Sequence, residues 1–410
     1  MRTVDEATLA ALNGSRPADE LEVFAWYAGS LAVESKLNVT DWSIDWDGSD
    51  SALVQGALGL TVADPDGSLS PWLWDDPLGV GGAVLQCRYR VGGAGMVNLG
   101  WYRITKNAPK ESWYSRTIPE VGHDNGPDSP VPAGHRLVMV SGGATVPVTA
   151  EDLTVNLVLD RFLAPEQPAP GATVESEIRR IVGDYMPVTI SDGVDGSATV
   201  PPSTTYDDER MKAVQDLASH VGARFRMGGD GDLQIYAPDP DPVWTVAGGD
   251  GGALINIDRS QDVDQIRNIG VARGEQKYVD TEGMEQTRPL QGVTEITAGP
   301  LRADPTRAGR IPIFLDSPLL TTQQAVDAAS KTLVENRVQG LTTMLEVTCL
   351  PNPAMQVGDA VTVTQPVVDG RLIPLVGHVR KMGLRRNASM TISVECSTAD
   401  VQSVLGRARG

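Results

Sequence analysis

Cysteine is nearly missing from this 410-residue chain: Cys87, Cys349 and Cys396 are far apart and odd in number. That argues against a disulfide framework and against a cysteine metal site. Histidine is as scarce, and His123, His135, His220 and His378 have no close partner in sequence. Little material is left for a Ser-His-Asp or Cys-His centre. Positive charge is also in short supply. The 34 basic residues, only seven of them lysine, face 53 acidic ones, and the net charge is -19. Binding that depends on neutralising phosphates is therefore disfavoured, because it needs clustered Lys and Arg. No apolar run approaches the roughly 18 residues that span a bilayer, and no charged-then-apolar signal segment opens the chain. The chain has no Walker A loop, no G-x-S-x-G elbow, no H-E-x-x-H and no G-x-G-x-x-G that opens a helix after a strand. The cluster Gly79-Val80-Gly81-Gly82 precedes a strand and reads as a turn.

What is abundant points to short strands. Glycine (43) and proline (28) are plentiful, while aromatics are only 5%. The fold class expected is mainly β with α+β modules. Seven of eight tryptophans lie at or before Trp113, which marks a separate N-terminal domain. There Trp42, Ile44 and Trp46 alternate on one strand face, Leu58, Leu60 and Val62 on the next, and Leu85, Cys87, Tyr89 and Val91 on a third. Met96 to Thr105 gives a further strand, and such a series reads as an antiparallel barrel or sandwich. Pro119 to Gly134 reads as an inserted exposed loop, with strands resuming at Arg136 to Val140 and at Leu153 to Leu159. Ala164 to Pro170 reads as a linker.

The period then changes. Thr173 can cap a helix bearing Val174, Ile178 and Ile181 that stops at Gly183. A second helix is expected with Asp207, Asp208 and Glu209 in its first turn and Met211, Val214, Leu217 and Val221 as its stripe. A hairpin follows from Ala223 to Tyr236 around Gly228-Gly229-Asp230-Gly231. Farther on, Thr321 and Gln324 have capping-box spacing ahead of a helix with Val326, Ala329 and Leu333. Strands are expected at Leu345 to Cys349, at Ala360 to Thr364 after the turn Val357-Gly358-Asp359, and at Met390 to Cys396. The division expected is an arm over 1–20, a Trp-rich β-barrel domain over 21–165, a helix-and-hairpin domain over 166–250 and a discontinuous barrel-type domain over 251–410.

Three constellations bear on chemistry. His123, Asp124, Asp128 and His135 share the Pro-rich loop without metal-ligand spacing and read as a solvated loop. Asp45, Asp47 and Asp50 around Gly48 lack the spacing and terminal Glu of a calcium loop and read as a hairpin turn. Trp72-Leu73-Trp74-Asp75-Asp76 admits two uses. Its rings can anchor a core or a subunit contact, together with Trp42, Trp46 and Trp101. Alternatively they stack on sugars beside Asp75 and Asp76 as acid and base. No catalytic, cofactor-binding or metal residue is expected otherwise.

The stretch Gly59 to Trp74, with Val97-Asn98-Leu99-Gly100-Trp101-Tyr102-Arg103-Ile104 after it, resembles minor tail proteins of actinobacteriophages. The rest is similar to the tail-tip or baseplate-hub family of long-tailed phages. There a helix leads into a glycine-turn hairpin (here Met211 to Tyr236), then a strand that opens on an asparagine (Asn268 to Val271) and an Ala-rich helix (Thr322 to Glu335). A strand, Gly-Asp turn and strand follow, here Leu345 to Val363 with Gly358-Asp359, where Val357 replaces the usual proline.

The resemblance implies β-barrel domains of the tail-hub type and a homotrimer whose paired barrels mimic sixfold symmetry. It implies a virion location at the tail tip, after synthesis in the host cytoplasm. Implied partners are a distal tail protein, the tape-measure protein and receptor-binding or fibre proteins. DNA would pass the lumen without sequence-specific binding, repelled by its acids. Relatives often carry a C-terminal hydrolase; the last hub-like strand here has none after it, so no enzymatic activity is expected. The rival expectation is a carbohydrate-binding or glycoside-hydrolysing envelope protein, and a third is a peripheral receptor-binding tail protein.

Overall fold

The computed structural model describes every residue except 13–18, 120–134, 202–203, 250–251, 261–265, 280–283, 299–300, 317–319, 321, 340–341, 367–371, 398–400 and 402–410. The chain forms two compact units. The first comprises Met1–Asn256, Val347–Val361 and His378–Ser393, and the second Ile257–Glu346, Thr362–Gly377 and Val394–Gly410. Both are mainly β.

The first unit opens with α1 (Glu6–Leu12). Arg2 lies before this helix and anchors the N-terminus to the body of the unit. Its backbone N–H donates to Ala354 O (2.7 Å), and its buried guanidinium donates to Pro353 O (2.9 Å) and Met355 O (2.6 Å). The strands follow as β1 (Glu20–Tyr27), β2 (Ser30–Leu31), β3 (Val39–Asp47), β4 (Gly56–Asp64), β5 (Val84–Arg90), β6 (Met96–Asn107), β7 (Lys110–Pro119) and β8 (His135–Asp152). All pairings among them are antiparallel, in the order β3-β4-β8-β6-β5-β1-β2, with β7 on the distal half of β8. Alternation dictates the core. Trp42, Ile44 and Trp46 of β3 are buried with Leu58, Leu60 and Val62, with Leu85, Cys87 and Tyr89, and with Val146, Val148 and Ala150.

The apolar run Leu153 to Leu159 is not a strand. β8 stops at Asp152, and α2 (Val155–Leu159) follows. The carboxylate of Asp152 turns the chain by accepting the N–H and the hydroxyl of Thr154 (3.0 and 2.5 Å). Its other oxygen accepts the N–H groups of Gln55 (3.1 Å) and Gly56 (2.5 Å) at the start of β4.

Next come α3 (Val174–Val182), β9 (Val188–Ile190), α4 (Arg210–His220), β10 (Arg224–Met227), β11 (Leu233–Tyr236) and β12 (Trp244–Val246). Thr173 and Ser176 close a capping box at α3. Asp207, Asp208 and Glu209 fall just before α4 and not in its first turn; Asp208 instead accepts from Arg161 (2.8 Å). The β10–β11 hairpin forms as the glycine turn predicts, and β9 adds to β11 in parallel, a pairing that periodicity alone does not show. Val174, Ile178, Ile181, Met211, Val214, Phe225, Leu233 and Ile235 make one buried cluster.

After β13 (Leu254–Ser260), the second unit contains β14 (Ile269–Val279), β15 (Glu285–Glu295), β16 (Pro312–Asp316) and α5 (Gln323–Gln339). The sheet order is β15-β14-β16. Ala272 and Leu290 pack against Val326 of α5, and Thr294 shares a hydrogen bond with Ser330 (2.8 Å). Thr321 lies outside the described residues; Thr322 accepts from Ala325 N (3.2 Å) at the start of α5.

The remaining strands are β17 (Thr342–Cys349), β18 (Ala360–Pro366), β19 (Leu372–Arg385) and β20 (Met390–Ser397). In the first unit Lys381 to Arg385 pair antiparallel with β3, from Asp47 to Ser43. Gly358-Asp359 forms the expected turn, with Gly358 at φ 86°. Asp359 Oδ1 accepts from the Met1 amine (2.7 Å) and from Arg226 (3.1 Å), and its Oδ2 from Gln356 N (2.9 Å). The three cysteines are buried and none is in a disulfide; burial pushes the thiol of Cys87 up, and that of Cys349 up to about 12.

Candidate interaction surface

The Trp72–Asp76 segment lies in the loop between β4 and β5, within the first unit. Trp72 is 81% exposed and Trp74 76%, with Leu73 exposed between them. The exposure is imposed by a well-bonded backbone. One oxygen of Asp76 accepts the N–H groups of Trp72 (2.6 Å) and Leu73 (2.7 Å). Gly79 N donates to Asp76 O (2.7 Å) and Gly81 N to Trp74 O (2.8 Å). The rings therefore project from a fixed turn into water.

These bonds also define what Asp76 does. The N–H of Leu73, then that of Trp72, hold its carboxyl below the usual carboxylate range. A group used as a general acid needs the opposite shift. Asp76→Ala should free the turn without unfolding the unit: backbone and indole 15N relaxation at Trp72 and Trp74 should show large-amplitude motion, with the thermal midpoint unchanged. Acid should act likewise only at low pH. A depressed carboxyl stabilises the turn fully above its unfolded pKa, and that stabilisation is lost as pH falls through the lower folded value. Unaltered relaxation in the variant would remove Asp76 from this role.

Next to this turn stands the ribbon of β7 and the distal half of β8. The register pairs Trp113 with Ser141, Ser115 with Met139 and Thr117 with Leu137, so these share one face; Tyr114 pairs with Val140 on the other. Trp113, Tyr114, Leu137 and Met139 are all at least half exposed. Glu111 ties turn to ribbon: Oε1 accepts from Ser70 Oγ (2.6 Å) and Oε2 from the indole N–H of Trp113 (3.2 Å). This ribbon was not legible as an interaction surface. No strand is expected from the sequence over Lys110 to Ile118, before the loop expected at Pro119 to Gly134, of which 120–134 lie outside the described residues. Yet matched runs of β-formers on either side are the mark of a hairpin.

Trp42 and Trp46 are buried in the first unit, Trp46 beneath the Arg2 guanidinium (5.3 Å). Trp101 packs on Trp26 (5.3 Å between centroids) and supports the β10–β11 turn, where Asn98 donates to Asp230 (2.6 Å). The structure thus separates the five tryptophans: Trp42, Trp46 and Trp101 pack within the unit, and Trp72 and Trp74 do not. Asp75 is adjacent to Asp76 but takes no part in the turn bonds described.

The three acids around Gly48 are matched to bases. Asp45 accepts from Arg385 (3.0 Å), Asp47 pairs with Lys381 (2.8 Å), and Asp50 lies near Arg224 (3.5 Å). Burial works against ionisation of Asp47, but bonds from Lys381 and Ser49 outweigh it and hold its carboxyl low. His123, Asp124 and Asp128 lie outside the described residues, as does the side chain of His135; His378 bonds Asp239 O (3.1 Å). Among the described residues no group of three or more His, Cys, Asp or Glu is placed to hold a metal ion. A cleft of about 730 Å³ lined by Trp42 and Tyr89 holds acids already bonded, Glu20 to Lys36 (2.6 Å) and Asp19 to Tyr89 (2.9 Å). No described helix is long and apolar enough to cross a membrane.

No protein-family model matches the chain, and no curated protein matches it in sequence. Solved structures do match in fold. A tail protein from Neisseria meningitidis MC58 aligns over 94% of this chain and 99% of its own, with a TM-score of 0.55 at 13% identity. The 43 kDa tail protein of prophage MuSo2 from Shewanella oneidensis aligns over 92% and 98%, with a TM-score of 0.54 at 12% identity. The chain thus shares its fold, over nearly its whole length, with two tail proteins, one of them from a prophage.

Proposed function

We propose that this chain is a structural component of a bacteriophage tail tip. In this reading it assembles as a homotrimeric hub that closes the tail tube, and it has no catalysis of its own. The observation that carries the proposal is the fold shared end to end with two tail proteins, where a common domain alone would cover only part of each chain. The surface supports it. Exposed aromatics on a fixed turn and a wet apolar ribbon suit assembly, and Asp45, Asp47, Asp76 and Asp152 are engaged in holding structure. The strand series from β3 to β1 curls far enough that Leu37 N, just before β3, donates to Val23 O of β1 (2.8 Å). That contact supports the barrel-type reading of residues 21–165. The 166–250 module sits after it in the chain, and the second barrel-type domain is drawn from 251–410.

The partners that follow are a distal tail protein, the tape-measure protein and receptor-binding or fibre proteins, at the virion tail tip. The net charge of -19 suits a lumen through which DNA slides without sticking. Minor tail proteins of actinobacteriophages are the relatives we favour. A second use of the exposed Trp72 and Trp74, stacking on envelope sugars beside Asp75, would make the chain a monomeric carbohydrate binder.

Light scattering over a concentration series separates the two. A hub gives a stable species of three times 43.6 kDa. A persistent monomer that binds or cleaves cell-wall glycans would replace the hub with the sugar reading.

A further inference from the structure

We propose that the β7–β8 ribbon and the adjoining Trp72–Trp74 turn form one arm that grips the body of a second copy of this chain. The inference rests on the self-assembling reading above and adds where the contact is and what kind it is.

Three observations meet here. The first is continuity. Glu111 bonds Ser70 on one side and Trp113 on the other, so turn and ribbon present a single surface. The second is extent. Aromatic side chains offer about 150–250 Å² each, and Trp72, Trp74 and Trp113 with Leu73, Leu137 and Met139 expose on the order of 700 Å² of apolar area, with Tyr114 on the ribbon's other face. That exceeds the few hundred Å² usual on a monomer and equals about one side of a standard stable interface. A two-stranded ribbon with apolar groups wet on both faces is also only marginally stable by itself.

The third observation is charge, and it selects the occupant. Over 110–118 and 137–143 the strands carry Lys110 and Arg116 against the single acid Glu111, in a chain of net charge -19. The acidic body of another copy complements the arm. Two arms placed face to face would set like charges together. The contact is therefore arm on body, head to tail. Contacts of that type close into rings when the rotation permits, and a trimeric hub needs such a ring.

The test compares the full-length chain with two variants by sedimentation velocity. Trp113→Ser/Leu137→Ser/Met139→Ser removes apolar groups that face water, and Lys110→Glu/Arg116→Glu reverses the charge. The wild type is expected to associate. The apolar variant should dissociate about 100-fold or more readily, with circular dichroism and thermal midpoint unchanged. The charge variant should dissociate about tenfold more readily, with its salt dependence weakened. Should the triple variant fail to fold, the charge variant alone decides. Variants that associate as the wild type does would assign the arm to another partner and overturn the inference, while the trimer stands. A wild type that stays monomeric at every concentration would overturn both.

Discussion

Gly358→Ala is expected to destabilise the first unit by about 3–5 kcal/mol. Two costs combine. Gly358 has φ 86°, where an L-residue is strained by about 1–3 kcal/mol. A Cβ built there would overlap the phenol of Tyr236, 2.5 Å from Cζ and closer still to Oη. The ring has little room to yield, because Tyr236 is buried and Arg226 stacks on it at 4.5 Å. Overpacking of this kind costs about 1–3 kcal/mol more. Damage should spread to Asp359, whose carboxylate holds Met1 and Arg226. Urea unfolding followed by tryptophan fluorescence checks this, with a lowered midpoint at unchanged slope as the expected form. A shift of less than about 1 kcal/mol would mean that the turn adapts freely.

Asp152→Ala should cost about as much, about 3–5 kcal/mol, for a different reason. The carboxylate satisfies three backbone N–H groups, those of Gln55, Gly56 and Thr154, in a place closed to water. Each buried donor left without an acceptor costs about 1–3 kcal/mol, offset in part by water entering the gap. Asp152→Asn should not rescue stability, because its amide would point two hydrogens at donors. Burial pushes the Asp152 carboxyl up, and the bonds from Thr154, Gly56 and Gln55 offset this only in part. A raised folded value means that its contribution is greatest below the unfolded pKa and declines as pH rises through the folded one. The stability gap between wild type and Asp152→Ala should therefore widen on acidification. A gap that narrows would reverse that assignment.

Neither residue stands out in the sequence as a determinant of stability. Alternation at Trp42, Ile44 and Trp46 is legible because burial of one strand face repeats every second residue. The capping box at Thr173 and the glycine-turn hairpin are legible because their chemistry is local. Asp152 is different. Its partner Gly56 is distant in the chain, and nothing in a run of residues records a bond of that span. The same holds for Arg2, whose acceptors Pro353 and Met355 come from the far end of the unit. It holds for β9, whose parallel pairing with β11 requires the intervening α4 to cross over. The tryptophans were recognisable as a group but not separable, since a ring in a core and a ring at an interface obey the same composition. Only the bonds around Asp76 show that Trp72 and Trp74 are held outward.

The buried thiols have a bearing on endurance. Oxidation and disulfide exchange begin from the thiolate, and burial suppresses that form at Cys87 and Cys349, while Cys396 is shielded from attack by the same lack of access. A protein built this way needs no reductant once it leaves the cell that made it. Copies packed closely in a particle and kept for long periods in aerated water would stay free of covalent cross-links. Whatever releases such an assembly then has only non-covalent contacts to undo.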